Sequence, residues 1–228
     1  MKKILWGLLL PAFLGIASCK KESNTPSPVK FMSFAAGNEW VYKSTDNSSG
    51  ATQTDTVKAT GNDSAANGRI YKVYSNTGGP NEYYNNTGSD YYTFRSLHTS
   101  FIDTSLEVLY LKDDLAVNGT WPQNVAFSVE FFGTQIPLVL TLTNKIAQKG
   151  ITKVVNGVTY NNVTDVQTVL TVTGVPALVT YSLASDIHYY YAPKIGQIEN
   201  KTLINFSAAG LSPTTVNQKM ELQSSTIL

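Results

Sequence analysis

The residues best suited to acid–base chemistry in this chain are its two histidines, His98 and His188. His188 follows Asp186 by two positions, and side chains two apart share one face of a β-strand. Asp186 could therefore orient the imidazole for general-base catalysis or metal ligation. The same spacing more often indicates a surface pair, and neither a third ligand nor a nucleophile accompanies it. We therefore predict no catalytic residue and no metal site.

Carboxylates offer a second chemistry, because glycoside hydrolysis uses two of them across a substrate. Nothing in the spacing of the carboxylates brings two of them together, and the Asp113-Asp114 pair is more typical of a turn or a cap. We therefore predict a protein without enzymatic activity or cofactor, and a glycan-acting envelope hydrolase is the alternative. The carboxylates considered for such a pair are Asp55, Asp63, Asp103, Glu107, Asp113 and Asp114.

Tyrosines form three clusters, Tyr83-Tyr84, Tyr91-Tyr92 and Tyr189-Tyr190-Tyr191. Adjacent residues of a strand face opposite sides of the sheet, so each cluster places at least one ring on an exposed face or in a cavity. Exposed rings stack on sugars and anchor interfaces, and inward-facing rings line apolar pockets. Covering the outer face of a sheet is the plainer alternative. The candidate ligand-binding residues are Tyr84, Tyr92, Tyr189 and Tyr191.

A single cysteine, Cys19, ends the run Ile16-Ala17-Ser18-Cys19. Lys2 and Lys3 precede an apolar stretch from Ile4 to Ile16, which is shorter than the ~20 residues of a membrane-spanning helix. This pattern resembles a bacterial lipoprotein signal peptide with its lipobox. An uncleaved transmembrane anchor is the alternative, but no stop-transfer pattern follows.

The lipoprotein resemblance implies that residues 1–18 are removed and that Cys19 carries a diacylglycerol, usually with a third acyl chain. Each buried CH₂ contributes about 0.8 kcal/mol, so several chains hold a protein at a membrane far better than one. Residues 19–33 are rich in Ser, Asn, Pro and Lys and are predicted to form a flexible tether. No Asp follows Cys19 directly, so the resemblance favours the outer membrane of the cell envelope, with either a periplasmic or a surface orientation.

Two tripeptides, Asp55-Thr56-Val57 and Asp63-Ser64-Ala65, resemble the Asp-Ser/Thr-apolar sequence that Bacteroidota use for O-glycosylation. Thr56 and Ser64 are the candidate acceptors. Both lie in a polar region that we expect to be exposed.

The composition excludes several classes of partner and stabilising device. The formal charge is +1, and removing Lys2 and Lys3 with the signal would make it slightly negative, so no basic surface for nucleic acid is indicated. Once Cys19 is acylated no thiol remains for a disulfide or a metal site. Residues 34–228 are long enough for one β domain with its own core.

The sequence pattern is that of successive β-strands. Tyr, Thr, Val and Asn are abundant, and no segment keeps a 3.6-residue apolar period with helix caps. Asn156-Gly157 between two β-branched runs predicts a two-residue type I′ hairpin. Short turns between strands favour antiparallel order, and long strands late in the chain favour a strongly curved sheet. We predict an all-β fold, either an incomplete barrel or a sandwich, with at most short helices.

Four segments together carry a further resemblance, to uncharacterised Bacteroidota lipoproteins with a curved antiparallel sheet and, more loosely, to open-barrel lipoprotein carriers of the LolA type. It implies an outer-membrane lipoprotein that binds a hydrophobic or carbohydrate ligand, or another envelope protein. A purely structural lipoprotein is a further alternative. The segments are Gly37–Tyr42, Gly119–Trp121, Val155–Val163 and Tyr190–Glu199.

Overall fold

The computed structural model describes residues 30–98, 103–131, 133–209 and 212–228. Within these ranges the chain forms twelve β-strands and no helix, and so contains no helix able to cross a membrane. The strands, in chain order, are β1 (Glu39–Asp46), β2 (Thr52–Ala66), β3 (Arg69–Asn76), β4 (Glu82–Thr87), β5 (Asp90–His98), β6 (Asp103–Lys112), β7 (Thr120–Phe131), β8 (Thr134–Val155), β9 (Val158–Thr173), β10 (Tyr181–Ala192), β11 (Gly196–Ala208) and β12 (Thr214–Thr226).

All twelve strands belong to one antiparallel sheet that curls into a nearly closed barrel. The order across the sheet is β6-β5-β4-β3-β2-β1-β12-β11-β10-β9-β8-β7, so β1 pairs with β12 and the two edges are β6 and β7. One seam, between those edges, is left without a backbone ladder. The predicted all-β fold with a strongly curved antiparallel sheet is thus confirmed, in its incomplete-barrel form.

The hairpin between β8 and β9 shows how local sequence directs the sheet. Val155 pairs with Val158, and the two residues between them have positive φ, 47° at Asn156 and 77° at Gly157. A type I′ turn requires positive φ at both central positions, and Asn and Gly tolerate it best. The hairpin predicted from this dipeptide is therefore confirmed, and it joins the two longest strands.

Residues 30–38 run across one end of the barrel before β1 begins. The N–H of Phe31 donates to the hydroxyl of Tyr91 on β5 at 3.1 Å, and the hydroxyl of Tyr74 on β3 donates to the carbonyl of Ser33 at 3.0 Å. The N–H of Lys194, in the β10–β11 turn, donates to the carbonyl of Lys30 at 2.7 Å. Because these partners come from well-separated strands, the segment closes that end of the barrel. The predicted domain boundary at residue 34 falls inside it.

Side chains bridge the seam where the backbone does not. The indole Nε1 of Trp121 on β7 donates to the carbonyl of Leu109 on β6 at 2.8 Å. The side-chain amide of Gln123 accepts from the N–H of Leu109 at 3.2 Å and donates to the carbonyl of Glu107. Trp121 and Gln123, the seam latch, thus replace the peptide groups of a neighbouring strand. An unpaired edge would otherwise be open to pairing with another chain.

We expect Trp121→Phe to loosen the seam selectively. It leaves the Leu109 carbonyl without its donor, a loss of about 1 kcal/mol. Hydrogen–deuterium exchange should then rise in β6 and β7 and stay unchanged in β10 and β11.

Trp40→Phe is the matched control, because the indole of Trp40 donates to the carbonyl of Ile195 at 2.7 Å, away from the seam. It should lower the free energy of unfolding without a selective effect on β6. A rise in exchange that is uniform across the whole sheet of Trp121→Phe would contradict a selective role of the seam latch at β6 and β7.

Candidate functional site

An apolar cavity of about 240 Å³, the apolar chamber, occupies the half of the lumen next to the seam. Inward-facing residues of β5 to β10 form it, since alternate residues of each strand point into the barrel. It reaches the seam because both edge strands, β6 and β7, contribute to its wall. Its aliphatic lining consists of Leu106, Val108, Val125, Leu140, Leu142, Leu170 and Ile187.

A second cavity of about 450 Å³, the polar chamber, occupies the other half of the lumen. Glu82 accepts a hydrogen bond from Nδ2 of Asn76 at 2.7 Å and another from the hydroxyl of Tyr84, and Asp55 accepts from Nε2 of Gln53 at 2.7 Å. Among the described residues, no lysine or arginine forms an ion pair with either carboxylate. Its polar lining consists of Asp55, Asn76, Asn81, Glu82, Gln197, Asn200, Thr202 and Gln218.

A row of tyrosine rings separates the two chambers. The ring centroids of Tyr84 and Tyr110 are 6.0 Å apart, those of Tyr110 and Tyr191 are 5.4 Å apart, and those of Tyr191 and Tyr189 are 6.4 Å apart. Tyr84 lines the polar chamber, Tyr110 and Tyr191 line the apolar chamber, and Tyr189 lines both. Aromatic pairs at these separations attract one another beyond their buried area. The row, here called the tyrosine wall, therefore holds β4, β6 and β10 together across the lumen.

The buried hydroxyls near the wall remain protonated donors. Burial raises the pKa of Tyr42 far above its usual value, and the nearby charge of Glu82 raises it further. The hydroxyl of Tyr42 accordingly donates to the carbonyl of Gln197 at 2.9 Å. Burial also raises the pKa of Tyr74. At neutral pH these buried tyrosines of the lumen are therefore neutral.

The structure brings three of the four candidate tyrosines together. Tyr84, Tyr189 and Tyr191 all belong to the tyrosine wall. Tyr92 lies elsewhere, with the guanidinium carbon of Arg69 3.7 Å from its ring centroid and its hydroxyl 3.2 Å from a carboxylate oxygen of Asp90. Its ring is thus stacked under a cation and does not line either chamber.

Comparison with known proteins adds a fold relative. No protein-family model matches the chain, and no curated protein matches it. A crystal structure described as a "putative lipoprotein" from Parabacteroides distasonis ATCC 8503 is similar, with a TM-score of 0.52 and 10% sequence identity. The match covers 88% of this chain and 100% of that one. At this identity the likeness concerns the fold.

The sequence patterns did not predict several residues that line the lumen. Tyr110 links Tyr84 to Tyr191 in the tyrosine wall, Glu82 lines the polar chamber, and Asn144 lines the apolar chamber. Tyr110 occurs outside the tyrosine clusters, and Asn144 interrupts an alternating apolar strand after Leu142. A polar residue at an inward position of a strand was the available signal for Asn144.

His188 lies between two carboxylates on the outer face of β9 and β10. Its Nδ1 is 2.8 Å from an oxygen of Asp165, which is 3% exposed, and its Nε2 is 3.1 Å from an oxygen of Asp186. The sequence pattern did not predict Asp165 as a partner of His188, because Asp165 lies on a different strand, β9. With both ring nitrogens bonded to carboxylates, neither is left for a substrate or a metal. Among the described residues, no group of three or more His, Cys, Asp or Glu side chains could hold a metal ion.

The candidate modification sites fall in two regions. Thr56 and Ser64 lie on β2 and are half-buried. The neighbours of Thr56, Asp55 and Val57, line the polar chamber, so Thr56 faces outward. Cys19 lies outside the described residues.

Protonated His188 should stabilise the fold. Its hydrogen bond to Asp165, chiefly, raises its pKa above the ordinary value, and Asp186 adds a smaller effect. A raised pKa in the folded state gives stability that is complete below the unfolded pKa, about 6.5, and is lost as pH rises through the folded pKa. The contribution of His188 to the free energy of unfolding, measured with urea, should therefore be larger at about pH 6 than at about pH 9.

His188→Gln keeps a donor for Asp165 but cannot titrate, so it should flatten that slope. Asp186→Asn serves as a graded control and should reduce the slope less, since Asp186 is the exposed and weaker partner, with 62% of its side chain accessible. Lys201 pairs with His188 on the neighbouring strand β11, and its Nζ lies 3.4 Å from an oxygen of Glu199. Neither variant replaces this charged neighbour. An unaltered slope in His188→Gln would remove His188 as its source.

Proposed function

We propose that this protein is a lipid-anchored protein of the cell envelope that binds a small amphipathic ligand inside its barrel and has no enzymatic activity. The observation that carries the proposal is the pair of chambers that share the tyrosine wall. An aliphatic cavity beside a hydrogen-bonding one suits a molecule with an apolar part and a polar part. Ligand sites are typically concave, largely apolar and supplied with a few polar groups.

The membrane anchor in this proposal is supported by the sequence before Cys19. The lipobox-like run, the lysines and the short apolar stretch all favour lipidation. The fold relative from Parabacteroides distasonis, described as a putative lipoprotein, is compatible with it. The absence of Asp directly after Cys19 supports an outer-membrane location as part of the same proposal.

A glycan-acting hydrolase is the second candidate, because two carboxylates line one cavity. Asp55 and Glu82 both face the polar chamber, and such enzymes place a pair of carboxylates across the scissile bond. The two functions differ in outcome, since a binding protein retains its ligand and a hydrolase releases product. Release of reducing sugar from envelope glycans by the wild type, lost in Glu82→Gln, would favour the hydrolase.

The first test is native mass spectrometry of the protein purified gently from a bacterial envelope. We expect a co-purifying molecule that dissociates when the protein is denatured. Leu142→Trp should abolish it, because the indole would occupy the apolar chamber that Leu142 lines.

Thr141→Trp is the matched control, with the same new side chain one position away on the outer face, where the Thr141 hydroxyl bonds to Asn124 at 2.8 Å. It should retain the ligand. A ligand mass unchanged in Leu142→Trp would exclude the apolar chamber as the site, and a wild type without any ligand from envelope extracts would count against the binding function.

Lipidation has its own test. Cys19→Ser removes the only thiol of the chain, so we expect the protein to leave the membrane fraction and to lose incorporation of radiolabelled palmitate. Ser18→Ala keeps a small residue before the cysteine and should retain both. Equal labelling of Cys19→Ser and the wild type would refute the anchor.

A further inference from the structure

One side-chain amide nitrogen in the wall of the apolar chamber lacks a hydrogen-bond partner among the described residues. Asn144, on β8, is 4% exposed and lines the chamber. Its Oδ1 accepts a hydrogen bond from the hydroxyl of Thr168 on β9 at 2.6 Å. Its Nδ2 is buried and has no hydrogen-bond partner among the described residues.

An amide nitrogen in that position is costly to leave unpaired. A buried donor without an acceptor loses about 1–3 kcal/mol relative to one that is hydrogen-bonded. The aliphatic side chains that share this wall, such as Leu142 and Leu170, can supply no acceptor. The hydroxyl of Thr168 already bonds to the other end of the same amide. An occupant of the chamber is therefore the natural source of the missing acceptor.

We propose that the apolar chamber takes a hydrophobic chain that carries an acceptor oxygen, as in an ester or a carboxylic acid, and that Asn144 Nδ2 donates to that oxygen. The proposal rests on the binding function and names the chemical class of its ligand. The aliphatic lining contacts the chain, and the single donor fixes its position along the chamber. The polar remainder of a larger ligand would pass the tyrosine wall at Tyr189, which lines both chambers.

The donor also provides discrimination. A chain without an acceptor would occupy the same volume and leave Nδ2 unpaired, and sites built around a buried polar group reject analogues that lack its partner. An alkylammonium chain offers donors alone and no acceptor, so it would be rejected in the same way. The site should therefore prefer an ester over an alkane of equal size.

The test compares methyl decanoate with tridecane, which has the same number of non-hydrogen atoms. Each is delivered from cyclodextrin to the purified full-length protein, and binding is followed by displacement of N-phenyl-1-naphthylamine fluorescence. We expect the wild type to bind the ester about tenfold more tightly than the alkane, the ratio that corresponds to about 1.4 kcal/mol. This comparison in the wild type does not depend on the folding of any variant.

Asn144→Leu should bring the two affinities together, by weakening the ester and keeping or improving the alkane. The matched control is Asn124→Leu, since Asn124 forms the same kind of cross-strand bond, to Thr141, on the exposed outer face. It should keep the wild-type preference.

The possible failures are distinguishable. Equal binding of ester and alkane by the wild type would overturn the role of Asn144 and leave the binding function standing. The same holds if Asn144→Leu keeps the tenfold preference. Failure of both compounds to displace the probe from the wild type would overturn the binding function itself, and this inference with it.

Discussion

The pairing of the first strand with the last is the constraint on which the rest of the structure depends. A curved sheet has two edges, and in this barrel β1 and β12 are paired from Glu39 with Thr226 to Asp46 with Gln218, with one bulge between Val41 and Tyr42. The edges are therefore moved to the middle of the chain, at β6 and β7. Edge strands need protection from pairing with other chains. Trp121 and Gln123 provide it with side-chain groups, which leaves a seam that is bonded but lacks a ladder.

The same topology explains why the lumen has two characters. The chain forms a meander whose first and last strands, β1 and β12, pair with each other. The strands near that pair therefore form one side of the barrel, and the mid-chain strands form the other side. The terminal side supplies carboxylates and amides, as at Asp55 and Gln218, and the mid-chain side supplies aliphatic residues, as at Leu140 and Leu170. The tyrosine wall lies where the two meet. An amphipathic interior is thus a consequence of which stretches of sequence face each other across the barrel.

Local sequence rules were sufficient for the strands and insufficient for their partners. Alternation separated Tyr189 and Tyr191 from Tyr190, and Asn156-Gly157 specified a hairpin, because both signals depend on neighbouring residues. The seam, the tyrosine wall and the Asp165 partner of His188 depend on which distant strands meet. Register between such strands is set by the whole sheet, which no window of a single strand contains.

Two asparagines form similar cross-strand hydrogen bonds in different surroundings. Asn124 and Asn144 each accept from a threonine on the neighbouring strand, at 2.8 and 2.6 Å. On the outer face, water can satisfy what remains of the Asn124 amide, so that residue needs no further explanation. Within an aliphatic wall, leucine at 144 together with valine at 168 would fill both positions without an unpaired polar group, and replacing both partners of a buried hydrogen bond by apolar groups of similar shape can be nearly neutral or stabilising. This contrast between the two sites is why we propose a ligand contact for Asn144 and none for Asn124.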